Sequence, residues 1–542
     1  MADVAEEKIK PKINTDLIRL VTFNVNGVRT FFHYHPFSQM KSSLKEVFNY
    51  FDADIISFQE LKTDVLSISK WGKVDGFYSF ISIPKIKKGY SGVGCWVRIL
   101  PESHPNYNAM RVMKAEEGIT GLLTVKSGGS QVRYRDDEQL GIGGYDNLGI
   151  TDEERLLELD SEGRCVMVEL ACNLIIISVY CPANSGLTEE GESFRMDFIK
   201  VLFNRIRNFN RMGKKVAFMG DINICRDLID SADCLNDANI NLNINDTGSI
   251  IEGKYHNNSI AFVLNPEAPH RRVLNQLLSD SIIPELADEG ILVDSTRLIQ
   301  GRDRLKMYTV WNTLKNTRPS NYGSRIDLIL ISTDIKEDIK DSDILANVMG
   351  SDHCPVYTDM SLKSLSEIVT SCNSKIPRFE ARYRYNLQNH NVLSMFAKRS
   401  KTVPTPPSES DYVSNSASPP TTPLSSFPSS HTLRHITSKK TKSIDKFFKV
   451  TKTRSTRPKS SIINSKVDSG ITLHTTKISR NEENSKPMKD VFEGPPLCNH
   501  GHQCILKTSR TAENPGKKFW ACNKPRGDLN DPNASCGYFE WV

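Results

Sequence analysis

The chain has 542 residues, of which 38% are hydrophobic and 25% are charged, so it is long enough for two or three domains with their own cores. No apolar run reaches the roughly 18–20 residues needed to cross a bilayer, and residues 1–12 lack the apolar stretch of a secretory signal. Twelve cysteines, four of them in the last 45 residues, favour a reducing compartment and a terminal metal site over a disulfide scaffold.

Charge divides the chain into two parts. Residues 1–363 carry 42 Lys and Arg against 50 Asp and Glu, whereas residues 364–542 carry 28 against 14. A basic tail on an acidic body suggests a polyanionic partner for the tail. A solvated disordered tail explains the charge equally well.

Apolar runs of strand length recur before residue 363 and predict eight strands. These are residues 17–23, 53–58, 92–100, 164–170, 173–180, 215–220, 325–332 and 354–362. Helix-like stretches lie at 194–209 and 270–282. Strands alternating with helices, together with back-to-back strands over 164–180, predict an α/β sandwich of mixed sheets covered by helices.

Composition then changes. Residues 401–430 contain 20 Ser, Thr or Pro, a segment that cannot bury enough apolar surface to offset its ordering entropy, so a disordered linker is expected. Glycine, cysteine and aromatic residues return after residue 490 and predict a small folded module. The predicted domains are 15–363, 364–490 and 491–542.

Polar residues stand where the predicted strands end: Asn24, Asn26, Glu60, Tyr180, Asn184, Asp221, Asn223, Asp327 and Asp352–His353. Any one of these residues, taken alone, would be an ordinary turn residue. If the strands pack side by side, however, their polar ends would all meet at one edge of the sandwich. Carboxylate oxygens suit Mg²⁺, and a His beside an Asp suits an imidazole held in one state. The chain lacks a GxxxxGK[ST] loop, so the pattern favours metal-assisted attack of water on a phosphodiester.

Eight motifs carry a resemblance to a known family: NVNG (24–27), FQELK (58–62), GYSGVG (89–94), LDSEGR (159–164), VYCPAN (179–184), GDIN (220–223), RIDLIL (325–330) and GSDHCP (350–355). In order and spacing they resemble the exonuclease III-type AP endonuclease family over residues 15–363. VYCP and the C-terminal extension are similar to its larger second eukaryotic branch. The resemblance implies the endonuclease/exonuclease/phosphatase fold, a four-layer α/β sandwich.

The resemblance also implies residue roles. Mg²⁺, or Mn²⁺ in its place, would be bound chiefly by Glu60 and supported by Asn24 and Asp352, with Asp221, Asn223 and His353 around it. Asp221 would activate the attacking water. The scissile phosphate would be bound by Tyr180, Asn184, Asn223 and His353, the last oriented by Asp327. Trp311 would line the sugar pocket, and Arg325 would contact DNA.

Three positions depart from the family pattern. Asn26 stands where some relatives have Asp, and Asn184 lies one residue further from Tyr180 than in short relatives. Leu187 replaces an arginine that contacts DNA, which would weaken the grip on an internal abasic site. By resemblance, 3′–5′ exonuclease and 3′-phosphodiesterase activity should outweigh incision at abasic sites.

A short motif in the tail has the spacing of sliding-clamp ligands. Ile444, Phe447 and Phe448 supply the aliphatic-x-x-aromatic-aromatic anchors, although Thr441 replaces the usual Gln. Resemblance implies binding of the proliferating cell nuclear antigen through residues 441–448. The surrounding basic run, 439–459, is either a nuclear-localisation signal or a solvated stretch.

Four potential soft or borderline ligands end the chain: Cys498, His500, Cys522 and Cys536. They suit a closed tetrahedral structural Zn²⁺ site. The surrounding residues 495–541 resemble a GRF-type zinc finger, with His502 as the fallback ligand and Cys504 packed inside. Cationic side chains, with Phe519 and Trp520 nearby, predict single-stranded DNA binding, unless the aromatics form only the core. The cations are Lys507, Lys518 and Arg526.

Together these features predict a nuclear, monomeric, Mg²⁺-dependent DNA repair nuclease that cleaves 5′ to abasic sites and at 3′ ends, with no membrane partner. One alternative keeps the fold and changes the substrate to inositol phosphates. Another is a scaffold with weak catalysis that binds DNA and clamp to signal damage.

Overall fold

The computed structural model describes residues 9–85, 87–365 and 376–387, together with 496–498, 500–508, 518–524, 535–536 and 538–541. It forms two compact units, residues 1–408 and 409–542. The clamp motif and most of the predicted linker lie outside the described residues. None of the helices in the described part of the chain combines the length and apolarity that a bilayer crossing needs.

The described residues of the first unit form sixteen strands: β1 (Ile18–Asn24), β2 (Ile55–Gln59), β3 (Phe77–Ser82), β4 (Val93–Arg98), β5 (Val112–Glu117), β6 (Thr124–Ser127), β7 (Ser130–Arg133), β8 (Cys165–Leu170), β9 (Leu174–Tyr180), β10 (Lys215–Asp221), β11 (Leu292–Asp294), β12 (Val310–Trp311), β13 (Gly323–Ser324), β14 (Asp327–Ser332), β15 (Ile339–Ile344) and β16 (Val356–Met360).

Its helices are α1 (Leu44–Tyr50), α2 (Ile68–Trp71), α3 (Glu153–Leu159), α4 (Glu189–Arg211), α5 (Ala232–Asp237), α6 (Gly248–Lys254), α7 (His256–Val263), α8 (Pro269–Asn275), α9 (Pro284–Ala287), α10 (Ser295–Gln300) and α11 (Ala381–Arg384). Short 3₁₀ turns lie at Phe31–His33, Phe37–Gln39, Tyr134–Asp136, Leu228–Asp230 and Thr333–Asp338.

Two six-stranded mixed sheets form the centre of this unit. Sheet A has the order β15-β16-β1-β2-β4-β3, and sheet B has the order β11-β14-β10-β9-β8-β5. One hydrophobic cluster joins their inner faces, a second joins sheet B to α3, α4 and α8, and a third joins sheet A to α1 and α2. The predicted four-layer sandwich is therefore confirmed, because each sheet buries both faces.

The eight predicted strands are all present, and the helices differ at their ends. Helix α4 begins five residues before the predicted 194, because Thr188 accepts a hydrogen bond from the Gly191 N–H and glutamates in the first turn favour the helix dipole. The helix predicted over 270–282 ends at Asn275, and Leu278 instead forms a bridge with Leu292 beside sheet B.

The first unit extends past residue 363, the predicted end of its domain. Phe379 is buried in the core between the sheets. Residues 376–387, which we call the strap, run along β3 at the edge of sheet A. The Tyr385 hydroxyl donates to the Ile81 carbonyl at 3.0 Å, and the Arg382 Nη2 donates to the Phe77 carbonyl at 3.0 Å. The strap thus covers an edge that would otherwise leave backbone groups unpaired.

The second unit contains an antiparallel sheet of three short strands: β17 (Ile505–Thr508), β18 (Lys518–Ala521) and β19 (Phe539–Trp541). Phe519 lies opposite Lys507 on one side and Trp541 on the other. Directly paired residues point to the same face of a sheet, so these three side chains share one face.

Candidate active site and metal centres

The strand ends of both sheets meet at one edge of the sandwich. Strands β1 and β2 are parallel, as are β9 and β10, so Asn24, Glu60, Tyr180 and Asp221 all lie at carboxyl ends. Strand β14 runs antiparallel to β10 and places Asp327 directly opposite Asp221. His353 precedes β16, which is antiparallel to β1. Residues separated by more than 300 positions therefore form one site.

Asn24 joins the two sheets within this site. Its Nδ2 donates to Glu60 Oε1 at 2.9 Å and to Asp221 Oδ2 at 2.8 Å. Its Oδ1 accepts from the Asn26 N–H at 3.0 Å. One buried amide thus fixes a carboxylate from sheet A against a carboxylate from sheet B.

Glu60 adopts an unusual backbone conformation. Its φ is 51°, in the left-handed region that costs a non-glycine residue roughly 1–2 kcal/mol. Hydrogen bonds from the Gly27 N–H to the Glu60 carbonyl, and from the Leu61 N–H to the Gly92 carbonyl, hold this turn. The turn directs the carboxylate back toward Asn24.

The Lys62 ammonium is a site group that sequence reasoning missed. Its Nζ lies 2.7 Å from Glu60 Oε2 and donates to Asn26 Oδ1 at 2.5 Å. Burial alone would raise the pKa of Glu60, but the hydrogen bond from Asn24 and the charge of Lys62 outweigh it and lower the pKa. The FQELK motif contained this signal, because a cation two residues from a ligand carboxylate is within reach of it.

Asp221, Asp327 and His353 form a buried triad. His353 Nδ1 lies 2.8 Å from Asp327 Oδ2, and its Nε2 lies 3.9 Å from Asp221 Oδ2. Burial alone would lower the pKa of His353, but the charges of Asp327 and Asp221 raise it to about 10. Burial and the charge of Asp327 raise the pKa of Asp221 to about 7. The imidazole is therefore a cation at neutral pH.

Two phosphate-binding candidates border this triad. Burial raises the pKa of Tyr180, whose hydroxyl hydrogen-bonds to Glu60 and so remains a neutral donor. The Asn223 amide donates to the Cys181 carbonyl at 2.9 Å, and its backbone N–H donates to Asp221 Oδ1 at 3.0 Å. Tyr180 lies directly opposite Asp221 in the pairing of β9 with β10. Asn223 lies beside Asp221 because it is in the turn that follows β10.

Asn184 lies in the turn before α4, where its side chain bonds to Thr188 and Glu192. These contacts give it the role of a turn residue, and none of the described hydrogen bonds joins it to the triad.

Arg325 does not fit its expected DNA contact. Only 1% of it is exposed, and its guanidinium is paired with Asp230 and Asp294 at 2.7–2.9 Å. Leaving these partners would remove the cation that two buried carboxylates share, with only Arg297 left for Asp230 and Arg226 for Asp294. Arg325 is a core ion pair, and the expectation of a DNA contact was wrong.

Trp311 lines a cleft of about 400 Å³ beside Asn26 and Asp352. Its backbone N–H donates to the Asp352 carbonyl at 3.0 Å, and the Arg318 guanidinium lies 4.4 Å from its ring centroid. Asp352, in the lining of this cleft, directly precedes His353 of the triad.

The donor set of this site fits a hard divalent cation. Glu60, Asp352 and the amides Asn24 and Asn26 supply oxygen atoms, and Asp327 Oδ1 is buried without a hydrogen-bond partner. Mg²⁺ prefers oxygen ligands and keeps waters of its own. The Lys62 ammonium already contacts two of these donors, and we infer that a metal ion would compete with it there.

The second unit holds a separate cluster. The ligand atoms of Cys498, His500, Cys522 and Cys536 lie within 4.8 Å of one another, and His500 Nδ1 is 3.5 Å from Cys522 Sγ. Hydrogen bonds from the backbone N–H groups of Lys524 and Cys536 lower the pKa of Cys522 to about 5, which favours the metal-binding thiolate.

Its aromatic residues divide between two faces. Trp520 packs against the cysteines, together with the buried Cys504. Phe519 instead packs against Phe539 and Trp541, with ring centroids 4.7 and 5.6 Å away. Phe539 is 51% exposed and Trp541 is 44% exposed. Trp520 is therefore core, and Phe519 belongs to an exposed aromatic face. Arg526 lies outside the described residues.

Comparison with known proteins agrees with this fold and these two centres. Residues 21–353 match the Endonuclease/Exonuclease/phosphatase family, and residues 496–542 match the GRF zinc finger. The chain belongs to the Endonuclease/Exonuclease/phosphatase family and carries a C-terminal GRF zinc finger.

Relatives named DNA-(apurinic or apyrimidinic site) endonuclease 2 match nearly the whole chain. The protein from Saccharomyces cerevisiae is 54% identical, with 97% of each chain covered. The protein from Schizosaccharomyces pombe is 33% identical, with 97% of this chain and 98% of that protein covered. A Bacillus subtilis exodeoxyribonuclease is 28% identical and covers 62% of this chain and 98% of its own length.

Proposed function

We propose that this chain is a metal-dependent DNA repair nuclease that cleaves phosphodiesters 5′ to abasic sites and at 3′ ends. The single observation that carries the proposal is the Asn24-bridged pair of carboxylates beside the His353–Asp327 pair. The names of the full-length relatives support DNA as the substrate. The exodeoxyribonuclease relative supports action at 3′ ends.

Asp221 is the group that takes a proton from the attacking water. A base works best when its pKa lies near the operating pH, and the pKa of Asp221 is raised to about 7. Asn24 and the Asn223 N–H both bond to its carboxylate and fix its orientation. These two bonds fix the direction from which Asp221 can accept a proton.

His353 supplies positive charge to the phosphate oxygens. Asp327 accepts from its Nδ1, which leaves the Nε2–H directed to the reacting group. Asn223 and the neutral Tyr180 hydroxyl add donors beside it. Donors fixed before the reaction do not have to reorganise as charge develops, and each is worth roughly 3–4 kcal/mol of barrier.

Glu60, Asp352 and Asn24 would hold Mg²⁺, with Mn²⁺ as a substitute. When bound, the ion polarises a phosphate oxygen and neutralises developing charge. The Lys62 ammonium lies 2.7 Å from Glu60 Oε2, the place the ion would take, and the Asn26 amide donates to Asp352 Oδ1 at 2.9 Å.

The finger binds structural Zn²⁺ through Cys498, His500, Cys522 and Cys536, and single-stranded DNA through its exposed aromatic face. Lys507, opposite Phe519 in the sheet, adds charge at that face. Aromatic rings accept stacked bases of any sequence, while lysines track the phosphates. Lys518 points to the opposite face of β18 from Phe519, and both Lys518 and Arg526 remain proposed DNA contacts.

Residues 441–448 bind the sliding clamp, and the protein acts in the nucleus as a monomer. The Ile444, Phe447 and Phe448 spacing alone supports the clamp contact, and the names of the DNA endonuclease relatives support the nucleus. Clamp titrated against the full chain and against Phe447→Ala/Phe448→Ala tests it by calorimetry. Equal binding of the two proteins would contradict it.

The main test uses two labelled duplexes, one with an internal abasic analogue and one with a recessed 3′ end. With Mg²⁺ the full chain should cleave both, and Asp221→Asn should lose about 10²–10³-fold or more in turnover while melting normally. Glu102→Gln, which makes the same carboxylate-to-amide change on an exposed loop residue, is the matched control and should retain activity.

The outcomes separate the alternatives. Loss of activity in Asp221→Asn alone supports the proposal. Release of inorganic phosphate from inositol phosphates without DNA cleavage would favour a phosphohydrolase. No cleavage of either duplex, with varied metal ions and added clamp, would favour the scaffold.

A further inference from the structure

The strap forms one wall of a basic cleft away from the catalytic triad. The opposite wall is the β6–β7 hairpin, which turns at Gly128 and Gly129 with φ values of 57° and 95°. The cleft has a volume of about 730 Å³ and includes Lys85, Lys126, Arg378 and Arg384 in its lining.

Most of its positive charge is uncompensated. Among the described residues of the lining, Glu117 is the one acidic residue, and it is paired with Arg384. Lys85, Lys126 and Arg378 are exposed, and none of the ion pairs formed among the described residues involves them. Residues 1–363 carry more acidic than basic residues, so three unpaired cations here create a local positive region on an acidic body.

The strap is fixed firmly enough to hold its cations in place. Phe379 is buried in the core, and Glu380 accepts a hydrogen bond from the Ser79 N–H at 3.3 Å. Arg378 lies 5.9 Å from the ring centroid of Tyr383. The residues that follow Arg378 are therefore held by packing and hydrogen bonding, and its guanidinium lies beside the Tyr383 ring.

The cleft wall and the catalytic site are linked through the segment before β8. The Lys85 N–H donates to the Ser161 carbonyl at 3.0 Å, three residues before Arg164. The buried Arg164 guanidinium lies 4.8 Å from the ring centroid of Tyr180, one of the phosphate-binding candidates. Only residues 161–164 therefore separate the Lys85 contact from the catalytic site along the chain.

We propose that the cleft binds backbone phosphates of duplex DNA flanking the scissile bond. The inference rests on the proposed nuclease function and adds a second contact to it. Arg378 and Arg384 lie beyond residue 353, where the family match ends, so this contact is an addition to the catalytic fold. Lysine and arginine contacts to phosphates release counterions, which makes such binding depend steeply on salt.

The test compares the charge reversal Lys126→Glu/Arg378→Glu with Lys45→Glu/Lys336→Glu, which changes net charge equally at exposed residues outside the cleft lining. All proteins carry Asp221→Asn, so that binding is measured without cleavage. Each is titrated with a short abasic duplex that fills only the catalytic site and with duplexes extended on one side or the other. Anisotropy is recorded over a series of salt concentrations.

The cleft reversal should weaken binding of one extended duplex by about tenfold and reduce its salt slope by about 2, while the short duplex binds as before. Equal weakening of the short duplex, equal weakening by the Lys45/Lys336 control, or unchanged binding of both extended duplexes would overturn the inference. Cleavage of the short duplex by the parent chain tests the nuclease function separately. That result can hold when the cleft proposal fails.

Discussion

The two metal centres of this protein are built in opposite ways. The catalytic centre gathers residues from Asn24 to His353 at the ends of strands from two sheets, each buried on both faces. The finger centre uses four ligands between residues 498 and 536, and its small core includes the cysteines themselves. The first centre lies in a hydrophobic core that does not depend on metal. The described residues of the second form only a small core around the cysteines.

This difference predicts where metal serves folding and where it serves chemistry. A module with so little apolar surface depends on its ion to fold. The catalytic site instead holds its carboxylates with Asn24, His353 and Lys62 before any ion arrives. Removing metal should therefore unfold the finger, whereas the catalytic unit should stay folded and lose only its activity.

The largest effect is expected in the finger. Substitution Cys522→Ser should abolish Zn²⁺ binding and unfold β17 to β19, because one of four ligands is lost. The bound metal is counted by elemental analysis, and folding is followed by the tryptophan signal. Cys504→Ala, a buried thiol outside the ligand cluster, is the control and should keep its Zn²⁺. A finger that stays folded without zinc would remove the contrast between the two centres.

In the catalytic unit, the buried charge of Arg325 should contribute more to the free energy of unfolding than a bound metal ion does. Arg325→Leu removes the cation that Asp230 and Asp294 share and leaves each carboxylate with one buried arginine, Arg297 and Arg226 respectively. The loss should reduce the free energy of unfolding by up to about 3–5 kcal/mol. Ion pairing holds the pKa of both carboxyls below the ordinary range, despite burial. Wild-type stability from this group is thus full above the ordinary aspartate pKa and falls below it, so the deficit of the variant should shrink in acid.

Urea unfolding measures this effect. Arg304→Leu breaks an exposed pair with Asp343 and should cost no more than about 1 kcal/mol. If Arg325→Leu kept full stability but lost DNA affinity with a smaller salt slope, Arg325 would be a DNA contact after all.

A smaller effect is expected at the exposed aromatic face of the finger. Trp541→Ala should weaken single-stranded DNA binding by about 1–3 kcal/mol, the usual worth of a stacked base. Leu497→Ala, which removes another exposed apolar side chain of the module, should not. Fluorescence anisotropy with a short oligonucleotide measures both. Equal losses in the two variants would mean that the face has no special role.

The smallest effect concerns the pH dependence of the metal-free triad. The pKa of His353 is raised to about 10, so the protonated imidazole stabilises the fold. This stabilisation is complete at pH values below the pKa of an ordinary histidine and is lost as the pH rises toward about 10. Asp221 is ionised in both states above about pH 8. With metal chelated, the stability advantage over His353→Asn should fall by at most about 1.4 kcal/mol per pH unit from pH 8 to 10.

His33→Asn, an exposed histidine, serves as the control for that series in urea unfolding. An advantage that stays constant with pH would show that Asp221 and Asp327 do not hold the imidazole as a cation.

The sequence predicted the strands and the triad well for a physical reason. Runs such as 173–180 and 325–332 are apolar throughout because their sheet is buried on both faces, and such runs are visible without any structure. Polar residues that interrupt strand ends, such as Asp221 and Asp327, are equally visible. Strands β3 and β5 were not predicted, because polar residues interrupt their apolar runs: Ser79 in β3 and the two glutamates that end β5.

What the sequence alone determined is therefore local: eight strands, the motifs at their ends and the cluster of four terminal ligands. Tertiary structure decided which charges pair and which remain free. It buried Arg325 between two aspartates, turned Asn184 toward Thr188, brought Lys62 against Glu60 and laid the strap along β3. The electrostatic and hydrogen-bonding environment of a side chain depends on residues distant in sequence, so no local pattern specifies these outcomes.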